Sequence, residues 1–174
     1  MAKNKQKIIT LLADYPGKEF YAQEIAEKTG CSKASASNIL KSLADKKVIF
    51  KEAKGHMKFY RINQGSPEVK GARIDLALEK LGPALVKLKK FSQKIILFGS
   101  ASRGEQTAGS DIDLFILSAD KDKTRKTLEK ISRNLQIKAI IKTHGEWAEM
   151  EMREPEFYQE IKNGITLYNY VPRI

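Results

Sequence analysis

Along the first third of the chain, apolar residues recur at helical spacing and then change to the short runs of strands. Ile8, Ile9, Leu11 and Leu12 form a stripe that predicts a first helix, ended by Tyr15-Pro16-Gly17. Ala22, Ile25 and Ala26 give a second helical face that stops at Gly30. Ser32 is placed to cap a third helix, Ser32 to Lys46, carrying Ala36, Ile39, Leu40 and Leu43. Beyond it, Val48 to Lys51 and Met57 to Ile62 read as two strands joined through Ala53-Lys54-Gly55-His56, a two-stranded wing.

Gly65-Ser66-Pro67 marks a boundary, because proline opens a helix well but cannot donate inside one. A long helical segment follows, with Val69, Ile74, Leu76, Leu78, Leu81, Leu85, Val86 and Leu88 on its apolar side and an expected break or kink at Gly82-Pro83. From Lys94 the text becomes strand, turn, strand, then a helix from Asp122 to Leu135 and a strand from Ile137 to Ile141. Trp147, Phe157 and Tyr158 have the spacing of core packing. The pattern predicts an α+β chain in three pieces: residues 1–64, a helical connector over 65–92, and a small mixed sheet flanked by helices over 93–174. No internal repeat or low-complexity tract is present.

Charge alters this picture more than composition does. The 174 residues carry 32 Lys and Arg against 21 Asp and Glu, a formal net charge of +11. Residues 1–66 hold thirteen basic and six acidic side chains, so the surplus is concentrated at the front and favours a polyanionic partner there. Lysines that merely solvate a surface are the plain alternative. The apolar runs fall far short of the roughly 20 residues that span a bilayer, and nothing at the start resembles a signal peptide, so the protein is expected in the cytoplasm without membrane contact. One cysteine, Cys31, and two histidines exclude an internal disulfide and any familiar zinc site.

The front third resembles the winged-helix domains of bacterial and archaeal transcription regulators over Lys5 to Asn63. That resemblance implies a third helix in the DNA major groove and a hairpin along the phosphates. The DNA-binding candidates are then Lys33, Ser35, Ser37, Asn38 and Lys41 on the helix, with Lys54, His56 and Lys58 at the wing. A small interaction module with solvated lysines is the competing interpretation.

The chemistry sits between Ile95 and Leu117. Ile95 to Phe98 is a strand; Gly99-Ser100-Ala101-Ser102-Arg103-Gly104 is a turn; Ser110-Asp111-Ile112-Asp113-Leu114 leads into a second strand. Gly99 lets backbone approach a phosphate, Ser100 can donate its hydroxyl at the start of a short helix, and Arg103 adds a cation. Residues two apart on a strand point the same way, so Asp111 and Asp113 are expected to project together and to share a cation; Mg2+ takes one or two carboxylates plus nucleotide phosphates. Standing alone, the same aspartates would be a turn cap and a lysine partner.

Gly99-Ser100-x-x-Arg103-Gly104, five residues, then Ser110-Asp111-Ile112-Asp113-Leu114 resembles the signature of the DNA polymerase beta nucleotidyltransferase superfamily, most nearly its minimal branch. The likeness extends from Lys94 to Tyr168. It implies Mg2+-dependent transfer of a nucleoside monophosphate from ATP or another triphosphate, with Asp111 and Asp113 holding two metal ions and Gly99, Ser100, Arg103 and Ser110 binding nucleotide. Toxin and antitoxin pairs of that branch suggest a protein acceptor or partner subunit, and a winged helix often works as a homodimer.

One departure stands out. Active members commonly carry a third carboxylate on a later strand, yet Gln136 to Lys142 contains no Asp or Glu, and Lys138 stands about where the acid is expected. An ammonium there would compete with a metal or offset a negative charge. Glu146, just beyond, is the nearest replacement, and His144 is a remote general base. The alternative to an enzyme is therefore a DNA-binding regulator whose second domain senses nucleotide or mediates dimerisation.

Overall fold

The computed structural model describes residues 2–107, 109–131 and 135–171. The chain divides into two compact units, Met1–Arg73 and Ile74–Ile174. The division falls inside the helical segment expected as a connector. Each unit is mixed α and β.

The first unit holds helices α1 (Ala2–Asp14), α2 (Ala22–Thr29) and α3 (Lys33–Asp45) with strands β1 (Phe20–Tyr21), β2 (Ile49–Lys54) and β3 (Met57–Ile62). Gly30, in the left-handed region at φ 68, ends α2 and returns its N–H to the carbonyls of Ala26 and Glu27. Ser32 caps α3, its hydroxyl accepting from the Ser35 N–H at 3.2 Å. Ile8, Leu12, Phe20, Ile25, Leu40, Leu43, Ile49 and Ile62 are fully or almost fully buried in one core. At about 1.5–3 kcal/mol per buried aliphatic or aromatic side chain, that core fixes the helices on the sheet.

Three strands, in the antiparallel order β1-β3-β2, replace the expected pair. Phe20 pairs with Tyr60 and Tyr21 with Phe59, a two-residue strand too short to leave a pattern. The hairpin is also longer than its apolar run: Lys54 pairs with Met57, leaving a two-residue turn in which Gly55 takes φ 61.

Helix α4 (Pro67–Leu88) runs unbroken through Gly82-Pro83, correcting the break expected there. Leu81, Ala84 and Leu88 are buried around it while Pro83 faces solvent, so packing on one side outweighs the roughly 3 kcal/mol that proline costs a helix interior.

The second unit continues with β4 (Lys94–Phe98), α5 (Gly99–Ser102), β5 (Ile112–Leu117), α6 (Lys121–Ile131), β6 (Ile137–Lys142), α7 (His144–Arg153), α8 (Pro155–Lys162) and β7 (Ile165–Asn169). Residues 132–134 of the expected Asp122 to Leu135 helix lie outside the described residues. The sheet order is β6-β5-β4-β7, with β4 antiparallel to β5 and β7 and β5 parallel to β6. Leu97, Leu114, Ile116, Leu81 and Leu128 belong to one core, and Ile96, Phe98, Phe115, Met150, Tyr158 and Ile161 to another. Alternation along β4 and β5 divides these between the two sheet faces. Trp147 lies 4.3 Å from the Phe115 ring and 4.2 Å from that of Tyr158, in the packing role read from sequence. No helix among the described residues is long and apolar enough to cross a membrane.

Candidate functional site

Strand β4 ends in extended backbone at Phe98, and Gly99 then turns the chain at φ 67 into the short α5. Phe98 stands opposite Asp113 in the β4–β5 register. The Asp113 carboxylate consequently lies over the glycine: a Cβ at Gly99 would come within 2.5 Å of Asp113 Oδ2. Glycine is required here by conformation and by space together. The Ser102 hydroxyl donates to the Gly99 carbonyl at 2.8 Å, and the Ser100 carbonyl accepts from the N–H groups of Arg103 and Glu105 at 3.2 and 2.9 Å, which closes the turn.

Asp113 shares its sheet face with Phe115 and Leu117, the face covered by α7 and α8. The parallel β5–β6 register sets Lys138 directly beside it. Partial burial raises the Asp113 carboxyl above the usual carboxylate range; the Lys138 ammonium pulls it back down, and the charges of Asp111 and Glu160 push it up.

Asp111 departs from its expected position. Pairing of β5 starts at Ile112, whose N–H donates to the Gln136 carbonyl at 2.7 Å, so Asp111 precedes the strand and is exposed. The turn before it claims the backbone: the Ser110 hydroxyl accepts from the Thr107 N–H at 2.9 Å and lies 3.1 Å from the Thr107 hydroxyl. Ser110, expected at the nucleotide, is engaged in that turn.

Arg103 is exposed beside α5 and pairs with two carboxylates, Nε to Glu105 Oε2 at 3.0 Å and Nη1 to Glu160 Oε1 at 3.5 Å. Glu160 is the residue that sequence reasoning missed. Its signal is helical spacing: Phe157, whose ring meets Phe98 edge-on at 5.9 Å, lies three residues earlier, so Glu160 follows on the same side of α8 toward the turn.

Glu146 does not supply the missing acid. It sits in the first turn of α7, past the far end of β6 from Lys138, where Lys121 Nζ approaches its Oε1 at 2.6 Å and the Thr143 N–H its Oε2 at 2.8 Å. These partners hold its carboxyl at about 2. Since the folded value lies below the ordinary 4.5, the unfolded chain binds more protons between those limits, and stability is lost as pH falls from about 4.5 toward 2. Thermal melts over that range should fall more steeply for the unaltered protein than for Glu146→Gln; parallel curves would refute the pairing.

Asp111 and Asp113 offer hard oxygen donors next to a turn with a cation, a set that fits Mg2+ completing its shell with phosphate and water. Among the described residues, no group of three or more His, Cys, Asp or Glu is arranged to hold an ion by itself.

In the first unit, Lys33, Ser37, Asn38 and Lys41 are exposed on α3, whereas Ser35 is half-buried. Lys58 and His56 are exposed at the hairpin. Lys54 is already paired, with Glu19 at 2.5 Å and Glu52 at 3.9 Å, and is correspondingly less available to a phosphate than expected.

A family model described as the nucleotidyltransferase domain matches residues 78–165, half of the chain. No curated protein matches the sequence. Among solved structures, a candidate nucleotidyltransferase from Sulfolobus solfataricus is 16% identical at a TM-score of 0.40, over 62% of this chain and 93% of that one. A protein from Archaeoglobus fulgidus is 21% identical at 0.35, over 48% and 88%. Human N-acetylserotonin methyltransferase in complex with SAM is 18% identical at 0.35, over 51% of this chain but 27% of that one. Likenesses this low assign no chemistry.

Proposed function

Because the chain belongs to the nucleotidyltransferase domain family through residues 78–165, we propose that its second unit binds a nucleoside triphosphate, ATP or another, with Mg2+, and transfers the nucleoside monophosphate to an acceptor, a protein or partner subunit. The observation that carries this reading is the Asp113 carboxylate lying over Gly99, with Arg103 one helical turn away. Asp111 and Asp113 bind and orient the charged tail of the nucleotide through the ion. Gly99 leaves its backbone bare for the phosphates, and Arg103 offers a fork that fits phosphate oxygens once it exchanges a carboxylate partner for them. Bound Mg2+ supplies Lewis-acid stabilisation of the charge that develops on the transferred phosphoryl group.

Incubation with labelled triphosphates and Mg2+ tests the proposal. Transfer by the unaltered chain that disappears in Asp111→Ala supports it. Nucleotide binding without turnover would support instead a regulator that senses nucleotide, a reading favoured by the Lys138 ammonium beside Asp113.

For the first unit, the α2–α3 helix pair and the β2–β3 hairpin support a winged-helix reading, with the exposed face of α3 in the major groove. Replacing Lys33 and Lys41 together by alanine should weaken binding to DNA duplexes and flatten the salt dependence of log K by about 1.8, two phosphate contacts at roughly 0.9 each. An unchanged slope would remove those lysines from the interface.

A further inference from the structure

The surroundings of Asp113 are asymmetric. On the β4 side is the bare Gly99 turn; on the β6 side Lys138 occupies the adjacent register position on the same sheet face. Lys138 is exposed, and its ammonium is in no ion pair among the described residues. Of the two acids whose charges reach Asp113, Asp111 and Glu160, the second is paired with Arg103. Two divalent ions held side by side bring four positive charges, which carboxylates around the bridging aspartate help to offset. Here the β6 flank carries the ammonium of Lys138 instead.

We propose that Lys138 takes the place of a second divalent ion, so that Asp111 and Asp113 hold one ion only, carried in with the triphosphate. This rests on the nucleotide-site reading above and adds a stoichiometry to it. A lysine there keeps part of the positive charge that a second ion would bring, without needing a third carboxylate, and repels any ion approaching Asp113 from β6.

Native mass spectrometry of the full chain with Mn2+ and a triphosphate analogue bearing an α,β-methylene bridge counts the ions per complex. One Mn2+ is expected for the unaltered chain and two for Lys138→Asp, which exchanges the cation for a ligand. Lys138→Gln, neutral but without a carboxylate, should bind its second ion at least tenfold more weakly than Lys138→Asp. The exposed position of Lys138 predicts that both variants still fold, with Lys138→Asp melting lower than the unaltered chain until Mn2+ is added, which thermal scans with and without the ion check. Two ions in the unaltered chain, both lost in Asp113→Asn, would overturn the role of Lys138 while leaving the nucleotide site standing, as would a single ion in Lys138→Asp. Ion binding indifferent to Asp113→Asn would overturn both.

Discussion

Asp113→Asn is expected to suppress nucleotidyl transfer about a thousandfold, the equivalent of roughly 4 kcal/mol of lost transition-state stabilisation. Asparagine matches aspartate in shape, so packing over Gly99 and the β4–β5 register survive. Only the negative charge is lost. That charge is disfavoured in the folded protein, because burial raises the carboxyl above its ordinary value, so its removal should leave the melting temperature level or slightly higher. Inactivity with an undiminished Tm would assign Asp113 to chemistry. A fall in Tm alongside the activity would make it structural, and transfer retained within tenfold would rule out the proposed ion site.

Gly99→Ala should have the next largest effect, although glycine contributes no reactive group. The left-handed conformation costs a side-chain-bearing residue about 1–2 kcal/mol, and the new methyl must also displace the Asp113 carboxylate. Gly109→Ala is a matched control: it is also left-handed, at φ 87, but nothing lies within 4 Å of its added Cβ. Both variants should lose stability in denaturant titrations, Gly99→Ala the more because of the displaced carboxylate, while only Gly99→Ala loses transfer, by at least tenfold. Equal losses of activity in the two would mean that backbone strain alone is responsible and that the carboxylate does not need its position over the turn.

Most of the helices and the core were legible because their signals are local. The cap at Ser32, the stop at Gly30, the half-buried Trp147 and the buried Tyr158 all follow from spacing along one element. The features that escaped are set by partners distant in sequence. Strand β1 exists because Phe20 and Tyr21 meet β3, and α4 passes Pro83 because its other side is buried. At the site, the glycine turn and Asp113 could be read from their motif. Asp111 outside the strand, Glu160 beside Arg103 and the engagement of Glu146 by Lys121 arise only once turn, helix and sheet are assembled.

The pairing of β7 with β4 carries a consequence for biosynthesis. The strand that launches the glycine turn has as its edge neighbour β7, which is translated after the other three strands of the same sheet. Phe98, at the end of β4, also leans on Phe157 in the helix just before it. A nascent chain cannot brace this turn until β7 has been translated, so a nucleotide grip of the proposed kind would be acquired late, well after the whole first unit has been translated.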